Sequence, residues 1–391
     1  MGTVMQSKIS SLLGALAITG AFLVSCARAP RVNEALVEQE LAQMSLREKI
    51  GQLFFLRVES LDTTIHYVSS AELPAYQVQE VNDRMRSLAA DYPVGGIVLF
   101  AHNIKDPAQL AAFQRDLRAL PGRPLLCIDE EGGRVARLAG NPVFGLPRYE
   151  SMAALDGRPR AAGKAGRTIG TYLARYGFDI DFAPVADVNT NPENVVIGTR
   201  AFSDKPEVAA RCVAAYVKGL RKAGILGCLK HFPGHGDTHA DTHFGYAVSG
   251  KNWEELAACE MVPFKAGIAA GAPLVMTAHI AVPAVTGTEL PSTLSSVVLQ
   301  DKLRGELGYE GVIVTDAMEM GAIARQFPVP DACVLALEAG VDVLLCVKDY
   351  QACFNAVLGA VEQGRISETR IDESVRRILR LRQLSLGYRQ K

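Results

Sequence analysis

Short apolar runs recur along the chain, separated by longer stretches with helical spacing. Eight of them, at 52–57, 95–100, 125–129, 180–184, 227–231, 274–279, 312–316 and 343–346, are continuous rather than alternating. Continuous runs suit strands buried on both faces, the condition of a parallel sheet packed between layers. Segments 107–117, 161–176, 206–223, 253–270, 294–307 and 333–340 carry the intervening helical pattern. Strand and helix therefore alternate, which argues parallel βαβ units, and eight of them argue a closed barrel. The fold class expected is α/β, a (β/α)8 TIM-like barrel forming a single domain over 41–388. A helical segment at 35–44 leads into Ser45-Leu46-Arg47-Glu48, the pattern of a capping box. Ile371, Val375, Ile378 and Leu379 predict a final amphipathic helix on the barrel wall. The stretches 61–72 and 141–152 read as loop insertions.

Composition changes this picture little. The chain has 391 residues, 49% of them hydrophobic and 21% charged, with a net charge of -1. That is globular, and it offers no basic footprint for nucleic acid. The first thirty residues differ in kind. Lys8 precedes an apolar stretch at 12–24, and Leu23-Val24-Ser25-Cys26 follows. The pattern resembles a bacterial lipoprotein signal, too short for a comfortable membrane span of about 20 residues. The expectation is a signal peptide at 1–25, a lipidated Cys26 with a short tether at 26–40, and anchorage in the bacterial cell envelope. By resemblance to lipoprotein sorting in two-membraned bacteria, Ala27 after the cysteine implies the outer membrane. The seven other cysteines show no CxxC pair and sit mostly in apolar runs, as buried reduced thiols do.

The densest chemistry lies in KHFPGHGDTHADTH at 230–243, which holds His231, His235, His239 and His243 with Asp237 and Asp241. Their four-residue period would stack metal ligands on a helix, but Pro233, Gly234 and Gly236 disfavour a helix there. Histidine beside carboxylate on a Gly-rich loop suits proton transfer. A metal site and a plain polar loop remain the alternatives. Asp129, Lys230, His231, His279 and Asp316 each fall at or just beyond the end of an expected strand. The carboxyl ends of strands are where barrels of this kind carry their chemistry.

Six ordered motifs then bear on identity: IDEEGGRVARL at 128–138, FDIDFAPVADVN at 178–189, VVIGTRAFS at 195–203, the histidine segment, VMTAHI at 275–280 and GVIVTDAMEMGAI at 311–323. Together they resemble glycoside hydrolase family 3, and within it the single-barrel β-N-acetylglucosaminidase branch. The resemblance implies that Asp316 is a nucleophile forming a glycosyl-enzyme, with His243 as general acid/base and Asp241 as its dyad partner. A retaining hydrolase needs one attacking group and one group that protonates the leaving oxygen, and a carboxylate beside an imidazole fixes its tautomer. The resemblance further implies sugar binding by Asp129, Arg137, Arg200, Lys230 and His231, with His279 and Met318 as possible contributors. No metal or organic cofactor is implied. Glu130 stands where the family pattern leads us to expect Gln.

The expected activity is exo-hydrolysis of terminal β-linked N-acetylglucosamine from peptidoglycan fragments or chitooligosaccharides. A phosphorylase is the nearest alternative, because a histidine repels an attacking phosphate less than a carboxylate does. A metal-dependent hydrolase and a catalytically silent glycan-binding lipoprotein are the others.

Overall fold

The computed structural model describes residues 30, 32–238 and 247–389. All eight apolar runs form strands: β1 (Phe54–Arg57), β2 (Gly96–Leu99), β3 (Leu125–Ile128), β4 (Ile180–Asp181), β5 (Leu226–Phe232), β6 (Leu274–Thr277), β7 (Val312–Ala317) and β8 (Val343–Leu345). Each pairs in parallel with its neighbours in sequence order, and β1 also pairs with β8, closing the barrel. Their residues are almost all buried, with core packing on both sides of the sheet. This is why the runs lack alternation.

The crossover helices are Asp83–Asp91, Pro107–Arg118, Pro159–Arg175, Pro206–Ala223, Met261–Ala269, Val329–Ala339 and Tyr350–Glu362, with a π-helical segment Val297–Glu306 between β6 and β7. The helix expected over 253–270 is broken into Trp253–Ala258 and Met261–Ala269. Pro263 is the reason: its ring would clash with the carbonyl of Cys259, four residues earlier. The first and last of the seven α-helices lie in segments where the sequence pattern had singled out no helix.

The C-terminal helix Glu368–Arg389 does not lie on the wall as expected. It ties together polar groups at the amino ends of the strands. Ser385 donates to Asp179, just before β4, and Ser374 to Asp342, just before β8. Arg382 reaches Gln52 and the carbonyl of Arg123. The helix Glu34–Gln43 in turn docks on it, with Val37 and Leu41 buried and Glu34 and Glu38 paired to Arg380 and Arg376. Residues 34–40, expected to be part of a tether, therefore belong to a packed helix. The capping box at Ser45 and Glu48 is formed as read.

At the opposite, carboxyl end of the barrel the described residues line a cavity. The 58–82 connection, wider than the insertion expected at 61–72, folds into 3-10 turns at Val58–Leu61 and Ser70–Ala75 and brings Val68, Ser69, Ser70 and Ala71 to the mouth.

Candidate active site

A cavity of about 930 Å³ occupies this mouth. Its floor and one side are built from the ends of β3, β5 and β7. Asp129 follows β3, and Glu131 comes two residues later on a short hairpin that pairs Glu130–Gly132 with Val135–Ala136. Both line the cavity, while Glu130 between them is fully buried and faces away. Its carboxylate accepts the backbone N–H groups of Arg137, Leu138 and Ala139 and the Tyr172 hydroxyl, at 2.6 to 2.9 Å. An acceptor-only group is what four donors require, so the Glu in place of the expected Gln fastens the segment that presents Arg137. Arg137 lines the cavity, its guanidinium 5.8 Å from the Phe100 ring centre.

Lys230 and His231 are consecutive on β5, the peptide between them is cis, and both line the cavity. Lys230 is buried, with its ammonium 2.7 Å from Asp129 and 2.6 Å from Glu131. Arg200 makes a two-pronged contact with Glu131, at 2.8 and 2.7 Å. Burial alone would raise the Glu131 pKa, but Arg200 and Lys230 hold it well below the usual carboxylate range. Burial would likewise lower Lys230, and Asp129 and Glu131 more than offset it. His231 is held by Asp187, whose carboxylate lies 2.7 Å from Nδ1 and also receives the His235 backbone N–H at 2.7 Å.

Asp316 is the penultimate residue of β7, its Oδ1 accepting the Ala317 N–H at 2.7 Å. Burial pushes its carboxyl up, yet His231, His279, the Ala317 amide and Lys230 together bring it below the ordinary value. It is therefore a carboxylate at neutral pH, on the cavity floor. His279 is buried and does not line the cavity. Its Nε2 donates to the Ala317 carbonyl at 3.0 Å and so braces the backbone beside Asp316. Met318 is fully buried in the core and takes no part in the cavity wall.

The histidine loop is described as far as Thr238. Gly236 passes so close to the Val188 carbonyl that a Cβ would sit 1.8 Å from it, which only glycine permits. Asn194 donates to the His235 carbonyl at 2.8 Å, and Asp237 accepts from Thr190 at 3.1 Å. His239, Asp241 and His243 lie outside the described residues, as does Cys26. Among the described residues no group of three or more His, Cys, Asp and Glu is arranged to hold a metal ion, and no helix is long and apolar enough to cross a membrane.

A family model, the glycosyl hydrolase family 3 N terminal domain, matches residues 45–381. This chain belongs to glycosyl hydrolase family 3. Among family relatives, a beta-hexosaminidase from Stenotrophomonas maltophilia (strain K279a) is 40% identical over 258 residues, covering 64% of this chain and 76% of that protein. Beta-hexosaminidase A from Pseudoalteromonas piscicida is 34% identical over 326 residues, which is 76% of this chain. The chain spans about half the length of that second relative, 54%. In three dimensions it resembles a family 3 beta-N-acetylglucosaminidase from Paenibacillus sp. str. FPU-7, with a TM-score of 0.79 and 39% identity over 88% of this chain and 63% of that one.

Within the family 3 barrel, Asp129, Arg137, Arg200, Lys230, His231 and Asp316 converge on one cavity. Several polar residues beside them were not singled out from sequence. Glu131 was findable, because two residues on from Asp129 is the same face of an extended chain. Asp187 lies inside the FAPVADVN motif, but nothing local marks it as the partner of two histidines. Arg57, Tyr67 and Glu319 form a further contact on the far side of the cavity, between residues 252 and 262 positions apart.

Proposed function

We propose that this protein is a retaining exo-β-N-acetylglucosaminidase, acting on peptidoglycan fragments or chitin-derived oligosaccharides. The observation that carries the reading is the convergence of Asp316 on one cavity with Asp129, Lys230, Arg200 and His231. The names of the relatives support the same activity. In the first step an Asp316 oxygen forms a bond to the anomeric carbon as the glycosidic C–O bond breaks, and His243 gives its proton to the departing oxygen. In the second, His243 takes a proton from water, which releases the sugar from Asp316. Asp241 orients the imidazole. Asp129 accepts from sugar hydroxyls, and Arg137, Arg200, Lys230 and His231 surround the ring and its acetamido group.

The test is turnover of 4-nitrophenyl β-N-acetylglucosaminide by protein beginning after Cys26, with and without phosphate and chelator, against the matching glucoside. Phosphate-independent release that prefers the acetamido sugar is expected. Phosphate-stimulated release with sugar phosphate as product identifies a phosphorylase, chelator sensitivity a metal-dependent hydrolase. Binding without turnover identifies a silent glycan-binding protein. Anchorage through Cys26 in the cell envelope, at the outer membrane, belongs to the same proposal. Metabolic labelling with a fatty acid is expected to mark the full-length chain and to fail in Cys26→Ala.

A further inference from the structure

The far half of the cavity has its own architecture. Its wall is the tip of the 58–82 connection, where Val68 is 89% exposed and Ser69, Ser70 and Ala71 follow it along the cavity. A surface loop of this length needs an anchor to hold one shape. Tyr67, the residue before the tip, supplies it: the side chain is buried, and its hydroxyl donates to Glu319 Oε2 at 2.7 Å. The other Glu319 oxygen accepts from Arg57 Nε at 2.5 Å, and the Arg57 guanidinium lies 3.7 Å from the centre of the Phe100 ring. One carboxylate thus joins the ends of β1 and β7 to the loop tip.

Glu319 is also fixed to the reacting end of the site. It stands three residues after Asp316, and the N–H groups of Met318 and Glu319 donate to the Leu345 and Cys346 carbonyls at 2.9 and 3.2 Å. Both of its oxygens are engaged by Arg57 and Tyr67, and its side chain is 5% exposed. It is therefore placed to hold a wall, not to exchange a proton.

The wall has something to hold. Cavities that enclose drug-sized ligands run from about 300 to 1,000 Å³, and 930 Å³ at this mouth is more than one pyranose fills. The sugar-binding groups named above come from the carboxyl ends of β3 and β5 and from the connections that follow β3 and β4. Val68, Ser69, Ser70, Glu319 and Met320 line the same cavity and have no part in the sugar contacts assigned above.

We propose that Glu319 is a positioning residue for leaving-group recognition: through Tyr67 it sets the wall against which the reducing-side pyranose of an oligosaccharide packs, apolar face on Val68 and hydroxyls toward Ser69 and Ser70. The proposal rests on the hydrolase reading and adds a specificity device to it. Only formation of the glycosyl-enzyme involves the leaving group, so a loosened wall slows that step and leaves breakdown of the intermediate largely alone.

Glu319→Gln, Tyr67→Phe and the double variant are compared with wild type on N,N′-diacetylchitobiose and on an activated aryl β-N-acetylglucosaminide. A charge-assisted hydrogen bond to this wall corresponds to about a tenfold loss or more. The expected result is a loss of that size in kcat/KM on the disaccharide, with kcat on the aryl glycoside changed by less than about threefold, the range of a lesser structural effect. The double variant is expected to be no worse than the worse single one, because both act through one contact. Hydrogen exchange across 62–76 is expected to accelerate in each variant. Parallel losses on both substrates, a disaccharide kcat/KM within twofold of wild type, or unchanged exchange in the loop overturns the proposal. Wild-type silence on both glycosides overturns the hydrolase reading itself, and the proposal with it.

Discussion

Glu131→Gln removes one charge from the buried cluster that orients the sugar-binding cations, and its effect can be worked out from the contacts. Wild-type Glu131 accepts two bonds from Arg200 and one from Lys230, all between 2.6 and 2.8 Å. Gln keeps the shape but offers a single acceptor and turns an N–H group toward a cation. Lys230 retains Asp129, whereas Arg200 loses its two-pronged partner while still buried. Breaking a buried pair from one side costs about 3–5 kcal/mol. Unfolding entropy near 60 °C is about 2.1 cal/mol/K per residue, hence about 0.7 kcal/mol/K for a domain of about 350 residues. The expected loss in Tm at pH 7 is therefore about 4–7 °C. The sign of its pH dependence follows from the depressed pKa of Glu131. A carboxylate whose folded pKa lies below its unfolded value, about 4.3, stabilises the fold above that value and ceases to do so as pH falls through the folded one. The gap between wild type and variant should be constant from about pH 6 to 8 and narrow progressively below about pH 4. Differential scanning calorimetry across that range, with KM for the aryl glycoside measured alongside, is the assay. A variant within 1 °C of wild type at pH 7, or a gap as large at pH 3 as at pH 7, refutes the reasoning. An unchanged KM separates a purely structural cluster from one that orients the sugar contacts.

Asp316→Ala is expected to abolish nearly all turnover while leaving the far-UV circular dichroism unchanged, since the Asp316 carboxylate holds one neighbouring amide, that of Ala317, among the described residues. Activity at the wild-type level would refute the mechanism. His243→Ala is expected to lose far more on substrates with poor leaving groups than on activated aryl glycosides, because only the former need protonation in the first step. Equal losses on both would remove its acid/base role. Asp181 is fully buried, and burial holds its pKa well above the ordinary value. Its raised folded pKa means that its contribution to stability is greatest at low pH and is lost as pH rises through that pKa. Asp181→Asn is therefore expected to be more stable than wild type at pH 8, by a margin that shrinks toward pH 4. A Tm difference that stays flat across that range would show that Asp181 is not protonated in the fold.

Eight strands were legible because burial on both faces leaves a signal within each segment: an unbroken apolar run. The barrel followed from their number and their alternation with helices. Motif residues at strand ends were legible for the same local reason, and Asp129, Lys230, His231 and Asp316 meet in one cavity as their positions implied. What the sequence could not state is which distant polar groups would neutralise them. Glu319 finds Tyr67 and Arg57 across more than 250 residues, and Asp187 takes two histidines, one on β5 and one in the loop after it, over 40 residues away. Nor does the amphipathic pattern of the last helix say whether its apolar stripe meets the barrel wall or the barrel's amino end. That choice rests with Asp179 and Asp342, buried carboxylates whose partners Ser385, Ser374 and Arg377 lie on the helix. Local periodicity encodes which face of an element is buried. The pairing of charges in the interior is decided only when the closed barrel brings the strand ends together and removes the water that would otherwise have solvated them.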